Sequence, residues 1–198
     1  MPTVITHTLR QRLKELTLPF HTELEKMPVA VTLTDGSIER KKYADYLTKI
    51  AAIHQTLEPL IAEMSEWKQY GIDPSQRLRL PLLLADLEAL GKTNILIESA
   101  VLDTPWNFAT AVGTMYVLEG STMGGQILSR KLSHMLGDDG IPCTRYFQAY
   151  GENSMKRWGE FCQFLDLYEA ANPHSCDHVI LGACAMFLMI MRDTHELS

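Results

Sequence analysis

Apolar residues recur every three or four positions along most of the chain, and this spacing predicts amphipathic α-helices. The first predicted helix runs from about Thr6 to Met27, and Pro19 is expected to kink it. A turn is expected over 31–37, where Ser37 is suited to cap the helix that follows. That second helix is predicted from an apolar stripe made of Tyr43, Leu47, Ile50, Leu57 and Ile61.

The later part of the chain continues the helical pattern. A third helix is expected to end at Gly91, and Thr104 with Pro105 is expected to open a long helix that runs to about Leu136. The rest is predicted as a loop, a short helical or irregular link and two helices: 136–143, TRYFQAYGENSM, 155–171 and 177–195. No stretch predicts a strand, and no linker or repeat divides the chain. We therefore predict an all-α single domain, residues 1–198, with about seven or eight helices.

The long helix contains more glycine than a helix favours. The segment YVLEGSTMGGQIL, residues 116–128, holds Gly120, Gly124 and Gly125, and Gly113 lies just upstream. Each glycine costs a helix roughly 1 kcal/mol relative to alanine, so the four together cost on the order of 3–4 kcal/mol. Close packing against another helix, or a helix that ends near Gly120, would account for them. The remaining explanation is a flat ligand that lies against the helix backbone, since only glycine allows so close an approach.

Two phosphate-binding explanations for these glycines are excluded by the sequence. A P-loop requires a preceding strand and a Lys-Ser/Thr pair, and neither is present. The dinucleotide-binding fingerprint requires a glycine spacing that GSTMGG does not have.

His21 is the histidine whose neighbours are suited to metal binding. In the stretch FHTELEK, Phe20 and Leu24 share its helix face, so the imidazole is expected to point toward the apolar interior. Glu25 follows at i+4, within side-chain reach. A carboxylate that accepts from one ring nitrogen fixes the tautomer and leaves the other nitrogen free to bind a metal ion. Lys14, two turns earlier, is placed to meet an anionic group. The alternative is that His21 is an ordinary core or surface histidine and binds no metal ion.

Composition limits the classes of partner. The 198 residues are 46% hydrophobic and 21% charged, values that are ordinary for a soluble globular protein. A net charge of −6 without a basic run argues against nucleic acid as a partner. The apolar stretches are far shorter than a membrane span, and the N-terminus has no export signal, so we expect a cytoplasmic protein that does not enter a membrane. The four cysteines lack CxxC pairing and zinc-ligand spacing, which indicates reduced thiols.

A histidine helix and a glycine-rich helix together resemble the two helices that sandwich heme in bacterial heme oxygenases of the biliverdin-producing type. The likeness runs nearly from end to end. LRQRLKELTLPFHTELE resembles the proximal helix, AVGTMYVLEGSTMGGQILSRKL the distal helix, and RYFQAYGENSMKRWGEF the aromatic segment of the family. The resemblance implies a heme oxygenase-like helical bundle in which heme lies between the proximal helix and a kinked distal helix.

The resemblance also implies roles for individual residues. His21 corresponds to the axial ligand of the heme iron, with Glu25 behind it. If His21 is not the ligand, His54 is the first other histidine to check. Lys14 and Tyr116 correspond to propionate-binding side chains. On the distal helix the implied heme-contacting glycines are Gly120, Gly124 and Gly125, and the implied catalytic positions are Gly120, Ser121 and Gly124. Ser121 stands where many mammalian-type members have an aspartate that anchors the distal waters.

By the same resemblance, heme is both cofactor and substrate, and O₂ with external electrons opens it to biliverdin, carbon monoxide and ferrous iron. The chain has no flavin or nicotinamide motif, so a ferredoxin-like protein or a reductase is the expected electron donor. Three alternatives remain: a heme-binding or heme-sensing protein without turnover, a non-heme di-iron oxidase, and a thiamin-degrading relative with a nucleophilic cysteine. The di-iron alternative needs several inward ligands, for which His174, Asp177 and His178 are the nearest residues.

Overall fold

The computed structural model describes residues 7–92, 99–101, 103–135 and 143–197, and within them every regular element is helical. The α-helices are α1 (Leu9–Lys26), α2 (Pro28–Asp35), α3 (Arg40–Ala62), α4 (Leu80–Ala89), α5 (Phe108–Met135), α6 (Arg145–Gln148), α7 (Ser154–Ala171) and α8 (Cys176–Thr194). Buried apolar side chains of all eight helices form one hydrophobic core. The predicted all-α fold is confirmed for these residues. The loop predicted over 136–143 lies outside them except at Cys143.

Local sequence accounts for the ends of α1 and α4. Thr8 caps α1, since its side chain accepts from the Gln11 N–H while the Gln11 side chain accepts from the Thr8 N–H. The helix continues through Pro19 to its end as one element. Gly91 has φ +82° and follows α4 in the predicted C-terminal position, because glycine tolerates the left-handed conformation.

The turn predicted over 31–37 is wrong for most of its length. Helix α2 continues to Asp35 and is ended by Gly36, whose φ is +87°. Glu39, not Ser37, is the residue that precedes the first turn of α3. Short polar residues such as Thr34 and Asp35 favour turns, and here they form the end of a helix that is only eight residues long.

The start of α5 also differs from the prediction. Thr104 and Pro105 precede the helix, which begins at Phe108. Asn107 caps it, since the Asn107 side chain accepts from the Thr110 N–H at 3.1 Å and the Thr110 hydroxyl accepts from the Asn107 N–H at 3.0 Å. A reciprocal pair of this kind satisfies two backbone donors that a helix start leaves open.

Helix α5 lies at the centre of the bundle and packs most extensively on α8. The two helix backbones meet at Gly113 and Gly182. A Cβ on Gly113 would lie 1.9 Å from the Val179 carbonyl oxygen, and a Cβ on Gly182 would lie 2.2 Å from the Thr110 carbonyl oxygen. Only glycine permits such an approach. Helix packing therefore explains Gly113.

Helix α8 is unusually apolar. The expectation that the apolar stretches are far shorter than a membrane span is wrong for this segment. With the turn before α8, Pro173–Thr194 is long and apolar enough to cross a membrane, although 44% of its apolar window is buried inside the protein. The helix packs against α1, α3 and α5. This packing on three neighbouring helices is that of a core helix.

Two glycines of α5 provide a matched test of this packing. Gly113→Ala should lower the free energy of unfolding by about 1–3 kcal/mol, because its methyl group must displace the α8 backbone. Gly124→Ala should raise it by up to about 1 kcal/mol, since a methyl group there meets no atom within 4 Å and alanine favours the helix. Denaturant unfolding of the ligand-free protein measures both changes. If both substitutions changed the free energy of unfolding in the same direction, the packing explanation for Gly113 would be contradicted.

Candidate functional site

Side chains from every helix except α4 line a cavity of about 670 Å³. This volume is within the range of about 300–1,000 Å³ that small-molecule sites occupy. Most of the wall is apolar, and it includes Leu24, Ile50, Ile53, Val117, Leu128, Phe147 and Phe187. The cavity is therefore suited to a largely apolar ligand.

His21 of α1 lines this cavity. Its ring lies edge-on to Phe187 with the centroids 6.0 Å apart, and its Nδ1 is 3.5 Å from Glu25 Oε2. The side chain is 55% exposed, so the prediction that it points into the apolar interior is corrected: it opens onto the cavity instead. Because Glu25 lies on the Nδ1 side of the ring, Nε2 is the nitrogen available to a ligand.

Gly120 and Gly124 of α5 also line the cavity. A Cβ on Gly124 would meet no atom within 4 Å, and a Cβ on Gly120 would meet only the Trp158 ring, at 3.8 Å. The protein itself therefore does not require glycine at either position. The room left by the missing side chains is what a flat ligand against the α5 backbone would need. Helix α5 continues without a break past Gly120, which excludes a helix end as the explanation.

Gly125 differs from Gly120 and Gly124 in its surroundings. It does not line the cavity, and a Cβ there would lie 2.3 Å from the Phe147 carbonyl oxygen. The bare position is needed because α6 crosses α5 at this point. Packing on α6 is enough to explain Gly125, and a contact with the ligand is not needed to account for it, although Phe147 itself lines the cavity.

The predicted polar residues divide between the cavity and the surface. Tyr116 and Ser121 line the cavity, whereas Lys14 is exposed on α1 and is not part of the lining. Lys131, which the sequence reasoning missed, lines the cavity and donates from Nζ to the Thr34 carbonyl oxygen at 2.6 Å. A lysine near the end of a helix usually extends into solvent, so nothing in the local sequence indicated that Lys131 lines a cavity.

A buried polar network borders the cavity at His54, which is 1% exposed. Its Nδ1 donates to Glu58 Oε1 at 2.7 Å, and its Nε2 accepts from the Tyr146 hydroxyl at 3.3 Å. Burial lowers the pKa of His54, the Glu58 hydrogen bond opposes this shift, and the nearby Arg79 charge adds to it. The imidazole is therefore neutral at pH 7, with both nitrogens occupied. This leaves His21 as the cavity histidine with a nitrogen for a ligand.

Arg79 joins this network to α5. Its guanidinium donates to the Leu118 carbonyl oxygen at 2.6 Å and to the Ser121 hydroxyl at 3.2 Å. It also lies over the Tyr146 ring, 5.1 Å from the centroid. The stretch RLRL before α4 gave no sign of this role, because arginines at a helix start are usually solvated.

The described residues contain no group of three or more His, Cys, Asp or Glu side chains that could hold a metal ion. His174, Asp177 and His178 are exposed. No cysteine forms a disulfide, and none lines the cavity. Within the part of the chain that the structure describes, nothing favours the di-iron or the cysteine-nucleophile alternative.

Comparison with known proteins decides the family. A sequence profile described as "Heme oxygenase" matches residues 7–196. The chain belongs to the heme oxygenase family. A curated relative, a heme oxygenase from Xanthomonas campestris pv. campestris, is 27% identical over 157 residues, which are 78% of this chain and 90% of the relative. The resemblance drawn from the sequence is confirmed, and with it the assignment to heme-degrading oxidoreductases.

Solved heme oxygenase structures share the fold. That of Leptospira interrogans has a TM-score of 0.78 at 18% identity, covering 96% of this chain and 100% of its own. The NO- and CO-bound enzyme of Neisseria meningitidis has a TM-score of 0.74 at 21% identity, covering 97% and 92%. Heme oxygenase-1 of Synechocystis in complex with heme has a TM-score of 0.74 at 16% identity, covering 97% and 93%.

The neutral buried imidazole predicts a pH dependence of folding. Because burial lowers the pKa of His54, the unfolded chain binds more protons than the folded protein below the unfolded pKa of about 6.5. Stability should therefore fall as pH is lowered through that value, by at most about 1.4 kcal/mol per pH unit for this one group. His54→Gln should flatten the slope, measured by denaturant unfolding between about pH 7.5 and 5.5. The exposed His178→Gln is the control, and an unchanged slope in His54→Gln would contradict the assignment.

Proposed function

We propose that this heme oxygenase holds heme between His21 on α1 and the Gly120–Gly124 face of α5. The observation that carries the placement is the meeting, on one cavity, of a histidine ring open to the cavity and two glycines that protein packing does not require. The reaction is the oxidative cleavage of heme to biliverdin, carbon monoxide and ferrous iron.

Heme, when bound, supplies both the iron that binds O₂ and the ring carbon that is oxidised. His21 supplies a nitrogen ligand, and the Glu25 carboxylate, 3.5 Å from Nδ1, is placed to orient the imidazole. A neutral imidazole donates less electron density than a thiolate, so it favours O–O cleavage less. Gly120 and Gly124 allow the α5 backbone to contact the plane of the ring. Beside them, the Ser121 hydroxyl of α5 and the guanidinium of Arg79, which precedes α4, are polar groups of the cavity wall.

The carboxylates of heme need cationic or hydroxyl partners. Tyr116 lines the cavity, and Lys14 lies seven positions before His21, so both are proposed as propionate partners. Lys131 is a further partner, because its ammonium group already lies at the cavity. Charge-assisted hydrogen bonds of this kind contribute about 1.5–3 kcal/mol at most.

The electrons are proposed to come from another protein. The sequence has no flavin or nicotinamide motif, so a ferredoxin-like protein or a reductase is required. We further propose that the enzyme acts in the cytoplasm, without a nucleic-acid or membrane partner, in keeping with its net charge of −6 and lack of a basic run.

One titration tests the proposed reaction. Hemin added to the purified protein should give the absorption spectrum of an imidazole-bound heme. Ascorbate or a reductase supplied in air should then convert that spectrum to the absorption of a bilin. A stable heme spectrum without bilin would identify a heme-binding protein that lacks turnover.

His21→Ala tests the axial ligand. The variant should lose the imidazole-bound Soret spectrum while its far-ultraviolet circular dichroism stays unchanged, because His21 is largely exposed and supports no core contact beyond Phe187. His178→Ala, another exposed histidine, is the control. An unaltered Soret band in His21→Ala would overturn the assignment and point to His54.

Gly124→Leu separates ligand contact from helix packing. Without heme, leucine should raise the free energy of unfolding by somewhat under 1 kcal/mol, since it favours the helix over glycine. With heme, the side chain should push α5 off the ring, weaken binding and stop bilin formation. Gly159→Leu on α7 is the matched control, because its Cβ also meets no atom within 4 Å but lies outside the cavity lining. Equal destabilisation with and without heme, with bilin still formed, would assign Gly124 to packing.

A further inference from the structure

A buried ion pair lies behind the glycine turn of α5. Arg77 Nη1 is 2.5 Å from Glu119 Oε2, and the two side chains are 3% and 1% exposed. The other carboxylate oxygen of Glu119 accepts from the Tyr150 hydroxyl at 2.6 Å. Burial, and then the Glu119 carboxylate, raise the pKa of Tyr150, so the phenol remains a donor. None of the three residues lines the cavity.

This pair joins separate parts of the chain to α5. Arg77 ends the 3₁₀ helix Pro74–Arg77, and its Nη2 is 3.4 Å from Glu160 Oε2 on α7. Its Nη1 also donates to the Arg157 carbonyl oxygen at 3.4 Å. Three elements distant in sequence, the 3₁₀ helix, α5 and α7, therefore meet at Arg77.

A second arginine of the same segment holds the neighbouring residue of α5. Arg79 donates to the Leu118 carbonyl oxygen at 2.6 Å, and Arg79 lines the cavity whereas Arg77 does not. Consecutive residues of the helix, Leu118 and Glu119, are thus fixed by two arginines that act from different sides. We call Arg77, Arg79, Leu118 and Glu119 the arginine clamp.

The position of the clamp matters because the next residue is Gly120. Side chains normally set the rotation of a helix by packing against neighbours, but Gly120 and Gly124 present none to the cavity. Successive helix residues are about 100° apart, so fixing the direction of Glu119 also fixes the direction in which Gly120 faces. A buried ion pair adds little net stability compared with apolar side chains of similar volume. A directional contact of this kind does define one rotation of the helix.

We propose that Arg77 and Glu119 are positioning residues that fix the rotation of α5 at Gly120. The proposal rests on the proposed function. The rotation of α5 then determines how the bound ring lies in the cavity and which of its edge carbons is oxidised. Neither residue touches the ligand, and their effect passes through the backbone of Leu118–Gly120.

Three variants test the proposal. Glu119→Gln removes the charge and keeps the shape, and Arg77→Met leaves the carboxylate without its partner. The double variant Arg77→Met with Glu119→Leu replaces the pair by apolar side chains and should keep the thermal stability. Two properties are measured for each: the dissociation constant of zinc protoporphyrin IX, which is fluorescent and is not degraded, and the isomer composition of biliverdin formed from hemin.

All three variants should bind zinc protoporphyrin IX about fivefold more weakly or worse and should form a broader mixture of biliverdin isomers. Phe164→Leu on α7, a destabilising core substitution outside the clamp, is the control for lost stability in the two single variants and should change neither property. A double variant with parental stability, affinity and isomer composition would overturn the proposal. A parent chain that binds zinc protoporphyrin IX but forms no bilin would instead overturn the proposed function, and the affinities would still decide the role of the clamp.

Discussion

The bare backbone of α5 is the constraint on which the rest of the structure depends. At Gly113 it lets α8 approach until a Cβ would lie 1.9 Å from a backbone oxygen, and at Gly120 and Gly124 it leaves the cavity open. Helix α8 packs on α5 and on α1, so it links the glycine face to the helix that carries His21. The close contact at Gly113 therefore helps set the separation between the two faces of the proposed site. Glycines at different turns of α5 thus have different functions: Gly113 allows close helix packing, and Gly120 and Gly124 leave room for the ligand.

Buried hydrogen-bond networks hold the polar groups at one side of the cavity, and most of the rest of the wall is apolar. A ring with apolar faces and polar edges is suited to such a cavity. Glu58 holds His54 through one oxygen and also accepts from the Arg79 and Leu80 N–H groups at the start of α4. Arg79 then reaches α5 at Ser121. Buried polar groups of this kind are costly unless all are satisfied, and here each named group has a partner. Most of the remaining cavity wall is apolar, which suits the apolar faces of a planar ring.

The sequence allowed the helices, the family and most of the proposed site to be predicted, because these depend on local spacing. His21 and Glu25 share a helix face, and the glycines of α5 stand close together in the chain. The errors concern contacts between distant residues. Gly125 is bare because of the Phe147 backbone, and no local pattern shows that α6 crosses there. For the same reason Lys131, Arg79 and the Arg77–Glu119 pair were not anticipated, since each depends on a partner far along the chain. Helix ends were misplaced at Ser37 and Thr104, where several polar residues compete as caps.

The central claim is that a planar ring lies between the His21 imidazole and the bare turn of α5. A crystal structure of the protein with hemin tests it most directly. The account predicts the iron bound to a ring nitrogen of His21, and the backbone of Gly120 and Gly124 in van der Waals contact with the opposite face of the ring, at about 3.5–4.0 Å. Iron bound to His54 or to another residue, or a ring that lies away from these glycines, would contradict the account.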